Sequence, residues 1–242
     1  MLSISELELR SRWLESELDG WGAVLGARLL NELAAECEAA RSAAREAMVA
    51  VALCLVRMRE TAALGRLRDE ALASRLFSLE RLLRRGEPNV DEELRFRIPN
   101  YGAGRELSLG ERRSLARRPD RRHFDRLLAD PHPMVAQILL GNPRLTQDDV
   151  LRIVTRRPAN LSVILEVATN PRWIARGRVR HAILLNPTSP NEVAMPLIGL
   201  CSRTELEELV GSGQLPLVRR ATALELLERR PPHQAPDRGA LH

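Results

Sequence analysis

Histidine and carboxylate side chains, the groups that most often bind metals or exchange protons, gather at one place in this sequence. The cluster consists of Asp120, His123, Asp125, Asp130 and His132. Pro131 assigns the two histidines to different structural elements, because proline disrupts a helix interior. Their spacing matches no familiar set of metal ligands or acid–base partners. We therefore interpret these side chains as surface polar residues and helix caps.

Other motifs that carry chemistry are missing from the sequence. It contains no nucleophile elbow around Ser or Cys, no His-Glu-x-x-His zinc motif and no glycine-rich loop for phosphates or dinucleotides. Cys37, Cys54 and Cys201 are too few and too far apart for a disulfide framework or a metal knuckle. They favour a reducing compartment and buried thiols. We expect no enzymatic activity, no metal and no cofactor.

Arginine supplies the remaining chemistry. All 37 basic residues are Arg, and the net charge of the chain is +5. Residues 112–180 contain 15 Arg and six acidic residues, so this segment carries a net charge of +9 and the rest of the chain −4. The absence of Lys is typical of the coding bias of a GC-rich genome, so the number of arginines alone does not indicate arginine chemistry. The basic middle segment is a separate feature.

We predict a candidate basic surface from arginines that lie in or beside successive turns. The candidate residues are Arg118, Arg121, Arg122, Arg144, Arg157, Arg172, Arg176, Arg178 and Arg180. If a regular repeat places the turns at one edge, these side chains form a stripe. The stripe could bind an acidic protein, follow a nucleic-acid backbone, or be a solvated face in which some arginines cap helix C-termini.

The spacing of prolines indicates which elements carry these arginines. Alternate prolines lie 27, 28 and 29 residues apart, from Pro131 to Pro158, from Pro143 to Pro171 and from Pro158 to Pro187. Proline is tolerated in the first turn of a helix but forces the preceding residue out of the helical region. A period near 28 residues therefore predicts repeated pairs of short helices.

The apolar residues of these helices follow the i, i+3, i+4 pattern of one buried face. The predicted stripes are Val135, Ile138 and Leu139; Val150, Ile153 and Val154; Val179, Ala182 and Ile183; and Leu206, Leu209 and Val210. Short helices are marginally stable alone, so the stripes must be buried against neighbouring helices. We predict an entering helix pair over residues 108–118 and 121–129 and a last helix over 217–230. Asn142, Asn170 and Asn186, each before a proline, suit helix caps or turn starts.

The N-terminal residues predict a helical bundle. A first helix is expected over about residues 6–18 with a break at 19–22, then a long helical region over 24–60 and a helix over about 70–85. Residues 47–56 are nearly all apolar, so we expect them to be buried on every side. The bundle could cap the repeats or pair with a second copy to form a homo-oligomer.

The turns at Asp130-Pro131 and Asn142-Pro143, repeated near Asn170-Pro171 and Asn186-Pro187, resemble those of the leucine-rich repeat variant and of HEAT-like α-helical repeat proteins. They also resemble a group of bacterial proteins with the same Asn-Pro-Arg turns. The resemblance covers residues 105–230 and implies a fold class only. This unit is longer than the variant repeat, and the cysteine cluster that binds iron and sulfur in one such protein is absent. No cofactor is therefore carried over.

These features predict an all-α fold in which an N-terminal helical bundle (1–86) and a linker (87–105) precede a right-handed α-solenoid of short HEAT-like helix pairs (106–230) and a disordered tail (231–242). The predicted function is a non-enzymatic scaffold for a protein partner, with an acidic partner as one option. Nucleic-acid binding without sequence preference is the alternative. The longest apolar run is shorter than a membrane span, and the N-terminus lacks the pattern of a signal peptide, which favours a cytoplasmic protein without a membrane partner.

Overall fold

The structure is a computed structural model that describes residues 2–86 and 96–230, except for the side chains of residues 2–5 and of Arg121. These two ranges contain fourteen α-helices and no strand, which confirms the all-α prediction. The helices are α1 (Leu2–Glu38), α2 (Ser42–Arg57), α3 (Ala62–Ala73), α4 (Phe77–Leu82), α5 (Leu109–Arg117), α6 (Arg121–Leu128), α7 (Pro133–Leu140), α8 (Gln147–Val154), α9 (Leu161–Ala168), α10 (Pro171–Ile174), α11 (Gly177–Leu185), α12 (Asn191–Ile198), α13 (Arg203–Gly211) and α14 (Leu217–Arg229). The predicted tail and the first nine residues of the predicted linker lie outside the described residues.

The N-terminal helices break where the backbone leaves the right-handed helical region. The predicted break at residues 19–22 is confirmed as a kink at Gly22, whose φ of 73° suits a residue without a side chain. The predicted continuous helices over 24–60 and 70–85 are wrong, because left-handed Ala40 (φ 64°) and Arg75 (φ 54°) interrupt them.

Both interruptions are Schellman motifs. Beyond α1, the amide of Ala40 donates to the carbonyl of Cys37 and the amide of Arg41 to that of Glu36, and the same pair of bonds follows α3 around Arg75. Glycine usually occupies this position. The sequence therefore gave no turn signal here.

The repeat helices begin and end close to the predicted positions. Ser108 caps α5 through a reciprocal capping box with Glu111, and Pro133 and Pro171 lie in the first turns of α7 and α10. Asn142, Asn170 and Asn186 each accept a hydrogen bond from the amide two residues ahead, which confirms them as turn starts or caps. The predicted entering pair and last helix are confirmed within about one residue.

The predicted apolar stripes face the core. Ten of their twelve residues are buried, and the other two, Ile138 and Val210, are partly buried and pack against the core. Successive helices contact one another, as α5 and α7, α7 and α9, α8 and α11, and α12 and α14 do. The stripes are thus buried between neighbouring helices, as their marginal length requires.

Polar side chains connect turns that lie about one period apart. Arg172, Trp173, Asn186, Arg219 and Arg230 donate hydrogen bonds to backbone carbonyls that lie between 27 and 35 residues earlier in the chain. These bonds occupy carbonyls at or near helix C-termini, which have no partner within their own helix. The period near 28 residues is therefore visible in hydrogen bonds as well as in prolines.

The bonds group the turns into two edges. The Asn142 edge consists of the turns at residues 118–120, 141–146, 169–176 and 199–202. The Asn186 edge consists of the turns at residues 129–132, 155–160, 186–190 and 212–216. Consecutive turns alternate between the edges because consecutive helices run in opposite directions.

The N-terminal helices pack along the repeats and share one hydrophobic core with them. Helix α2 contacts α1 on one side and α10 and α12 on the other, which explains why residues 50–56 are all buried, as predicted for most of the apolar run. At its two ends, Arg45 donates to the Leu200 carbonyl and Arg57 to the Thr169 carbonyl. Residues 96–108 form neither helix nor strand and lead into α5.

Candidate functional site

The histidine and aspartate cluster is structural. Asp120 caps α6 by accepting from the His123 amide, and His132 caps α7 by accepting from the Met134 amide, as the cap interpretation predicts. Asp125 forms an exposed ion pair with Arg152. No group of three or more possible metal ligands occurs within residues 2–86 and 96–230.

Asp130 belongs to a buried ionic network that the sequence did not indicate. Its carboxylate accepts from Arg112 at 2.7 Å and from the hydroxyl of Tyr101 at 2.7 Å, and all three side chains are nearly inaccessible to solvent. Burial, and then the bond to Asp130, raises the pKa of Tyr101 far above its ordinary value. Tyr101 thus holds the segment before α5 against the turn at Asp130.

Arg219 is the most deeply buried guanidinium of the Asn186 edge, with a relative exposure of 0%. It donates to the carbonyls of Leu184, Asn186 and Ser189 and to the side chain of Asn191. Among the described residues, no carboxylate forms an ion pair with it. Burial lowers the pKa of Arg219 to about 10, so it remains cationic at neutral pH. The backbone therefore replaces a counter-ion.

Three of the predicted surface arginines are engaged in contacts within the chain. Arg157 lies on the Asn186 edge, where it donates to the Leu185 carbonyl and the Gln214 side chain. Arg178 forms an exposed ion pair with Asp148 at 3.4 Å. Arg180 donates to the Ile174 carbonyl at 2.7 Å, and burial lowers its pKa.

Arg172 is bound to the second turn of the Asn142 edge. It donates to the carbonyls of Asn142 and Leu145, and its guanidinium carbon lies 4.3 Å from the centroid of the Trp173 ring. Burial, and secondarily the charge of nearby Arg176, lowers the pKa of Arg172. Arg172 thus shapes this turn and adds positive charge beside it.

The candidate functional site, here called the arginine depression, lies where the first two turns of the Asn142 edge meet. It is an open depression of about 360 Å³ lined by Arg117, Arg118, Pro119, Asn142, Pro143 and Arg144. Its three arginines are exposed. Among the described residues, none of the three forms an ion pair or a side-chain hydrogen bond. Three unneutralised guanidiniums can bind carboxylate or phosphate oxygens, frequently through two parallel hydrogen bonds each.

The structure brings only part of the predicted surface together. Arg118 and Arg144 line the depression, and Arg172 and Arg176 lie beside its second turn. Arg122 is exposed in the first turn of α6, and the side chain of Arg121 lies outside the described part of the chain. Arg117 is an addition to the predicted set, and its place next to Arg118 at the end of α5 was the available signal.

The buried arginines were missed although one sequence signal was available. Arg219 is the first of four buried residues in α14 that follow the i, i+3, i+4, i+7 spacing of a core-facing stripe, followed by Thr222, Ala223 and Leu226. An arginine in the buried phase of a helix must find carbonyls or carboxylates. Which carbonyls it reaches depends on turns 30 to 35 residues away.

No family model, curated protein or solved structure matches this chain. The likeness to HEAT-like repeats therefore stays a prediction. Among the helices within residues 2–86 and 96–230, none combines the length and apolar character needed to cross a membrane.

Proposed function

We propose that this protein is a non-enzymatic interaction module that binds an acidic segment of a partner protein at the arginine depression. The observation that carries the proposal is the contrast between Arg117, Arg118 and Arg144, which have no partner among the described residues, and the arginines that are bound within the chain. Exposed, uncompensated guanidiniums attract acidic ligands.

The proposal includes the predicted architecture, a right-handed α-solenoid of short helix pairs over α5–α14. Support comes from the hydrogen bonds between turns about one period apart and from apolar stripes buried between neighbouring helices. Such a stack displays equivalent turns at regular intervals along an edge. The three cysteines are free and buried, which supports the cytoplasmic location predicted for this module.

The shape of the charged region favours a short acidic peptide over a nucleic acid. A nucleic-acid backbone presents phosphates over a long track, and binding proteins neutralise many of them. Here the free charge is confined to the first two turns of one edge, while Arg157 lies on the other edge and Arg178 already pairs with Asp148. A compact group of arginines matches two or three neighbouring carboxylates.

The test is a binding titration with defined probes. A fluorescent peptide of alternating Glu and Gly residues, its Gln counterpart, and single-stranded and duplex DNA are titrated with the full chain at about 50 and 200 mM salt. We expect the acidic peptide to bind and the Gln peptide not to bind. DNA binding that exceeds peptide binding, with a steep loss at the higher salt concentration, would replace the proposal by the nucleic-acid alternative.

A matched pair of charge reversals locates the site. Arg118→Glu/Arg144→Glu changes the depression, whereas Arg66→Glu/Arg75→Glu makes the same charge change at exposed arginines of the N-terminal helices. We expect the first variant to weaken acidic-peptide binding by at least about tenfold, which corresponds to about 1.4 kcal/mol, and the second by much less. Equal losses in both variants would mean that only net charge matters and would reject the depression as the site.

A further inference from the structure

A row of apolar side chains lies uncovered along helix α1. It consists of Leu9, Trp13, Trp21, Leu25 and Leu29, which recur at intervals of four residues with Glu17 at the one polar position. Trp21 is half-buried, and the other four are exposed, with Leu9 at 67% and Trp13 at 57% of full exposure. Residues spaced by four form a ridge of the kind that packs into the groove of another helix. This row is called the α1 ridge below.

The kink at Gly22 does not separate the two halves of the ridge. The rings of Trp13 and Trp21, which precede the kink, contact each other edge to face with centroids 6.0 Å apart. Leu25 and Leu29 continue the exposed apolar residues beyond the kink. Each tryptophan is a large, rigid contact surface, the residue type that most often dominates a protein interface.

The order of residues along the ridge is the same from either end. Counting outward from Glu17, the ridge has a tryptophan four residues away and a leucine eight residues away in both directions. A two-fold interface must be self-complementary, because each residue that contacts a second residue is itself contacted by the same residue type in return. We propose that the α1 ridge is the interface of a homodimer in which two α1 helices pack antiparallel about Glu17.

The charges beside the ridge fit this occupant. In an antiparallel pair centred on Glu17, Leu9 lies level with Leu25 of the partner subunit and Glu6 with Arg28 of the partner subunit. The opposite charges of Glu6 and Arg28 therefore meet at both ends of the contact. The two Glu17 carboxylates meet at its centre, where like charges oppose association. Glu17 thus limits the affinity of the dimer.

The dimer is tested by sedimentation or light scattering of the full chain from about 1 to 200 µM, a range that covers micromolar dissociation constants. We expect a dimer that dissociates on dilution. Trp13→Glu/Leu25→Glu should make the chain monomeric with an unchanged helical spectrum. Leu217→Glu/Leu224→Glu, which changes two exposed leucines of α14, should leave the dimer intact. A monomeric wild type at the highest concentration, or an equal loss in the α14 variant, would overturn the proposal and leave the ridge to a helix of another protein.

Glu17 gives a second test that does not depend on disrupting the surface. Glu17→Gln removes the central repulsion and should tighten the dimer by about fivefold or more, which corresponds to about 1 kcal/mol. Glu17→Cys places a thiol on the two-fold axis and should form an intermolecular disulfide on mild oxidation, whereas Asp69→Cys on α3 should not. The native cysteines do not compete, because all three are buried. A weaker dimer in Glu17→Gln, or equal cross-linking of both cysteine variants, would contradict the antiparallel arrangement.

Discussion

The two turn edges of the repeat region contain the same residue types, but their arginines have different partners. On the Asn186 edge, Arg156 and Arg157 donate to backbone carbonyls, and buried Arg219 reaches back to the same edge from α14. On the Asn142 edge, Arg118 and Arg144 face an open depression. An arginine beside a turn thus has two possible roles, and the carbonyls within its reach decide which one it takes. Arginine content alone therefore indicates neither stability nor binding.

The largest effect that tests this contrast is expected at Arg219. Arg219→Ala leaves a cavity and removes the partners of the Leu184, Asn186 and Ser189 carbonyls. We expect the free energy of unfolding to fall by about 3 to 5 kcal/mol, the range for losing one member of a buried polar network. Urea denaturation followed by circular dichroism measures it. A loss below about 1 kcal/mol would mean that these carbonyls are hydrated in the variant and that the edge is not tightly packed.

Asn186 and Asn142 provide a matched pair, one on each edge. Both accept from the amide two residues ahead, but buried Asn186 also donates to the carbonyls of Val154 and Arg156. We expect Asn186→Ala to cost about 2 to 3 kcal/mol and Asn142→Ala about 1 kcal/mol or less, because only the first leaves buried carbonyls unpaired. Equal losses would show that the shared turn, and not the bond to the preceding turn, carries the stability.

Tyr101 reports the environment of Asp130, the first turn of the Asn186 edge. Its raised pKa means that the unfolded chain loses the phenol proton first as pH rises, so its contribution to stability is fully present below about pH 10 and decreases above it. Because the chain has one tyrosine, tyrosinate absorbance follows Tyr101 alone. We expect this absorbance to appear only together with loss of helical circular dichroism. Ionisation near pH 10 in a folded protein would contradict the buried bond to Asp130.

The smallest effect on stability is expected at the arginine depression. Arg118→Ala and Arg144→Ala remove exposed side chains that have no partner among the described residues. Their free energies of unfolding should lie within about 0.5 kcal/mol of the wild type, as for most surface substitutions. A destabilisation above about 1 kcal/mol would place these arginines among the structural ones and remove the reason for assigning them to binding.

The sequence predicted the repeat helices well because their boundaries depend on local chemistry. Ser108 and Glu111 form a capping box within four residues, and Pro133 and Pro171 fix helix starts through their own φ. The apolar stripes follow helical periodicity and are buried as predicted. Each of these signals lies within one or two helical turns of the feature that it predicts.

Features that depend on distant partners were not predictable in the same way. Ala40 and Arg75 adopt left-handed conformations without a glycine signal, because packing of the flanking helices fixes the turns. The split of the arginines between the two edges depends on which turn lies opposite each guanidinium, about one period away in the chain. The candidate stripe therefore became a compact depression, and Arg157 belongs to the other edge.

The most direct test of the division between bound and free arginines is a nuclear magnetic resonance titration of the guanidinium Nε–H signals, assigned with single Arg→Lys variants. Arg219 should exchange slowly with solvent, because its side chain is fully buried. The signals of Arg118 and Arg144 should exchange fast and shift on addition of the acidic peptide, while that of Arg219 stays in place. Shifts distributed evenly over the arginines, or slow exchange at Arg118 and Arg144 without peptide, would contradict the account.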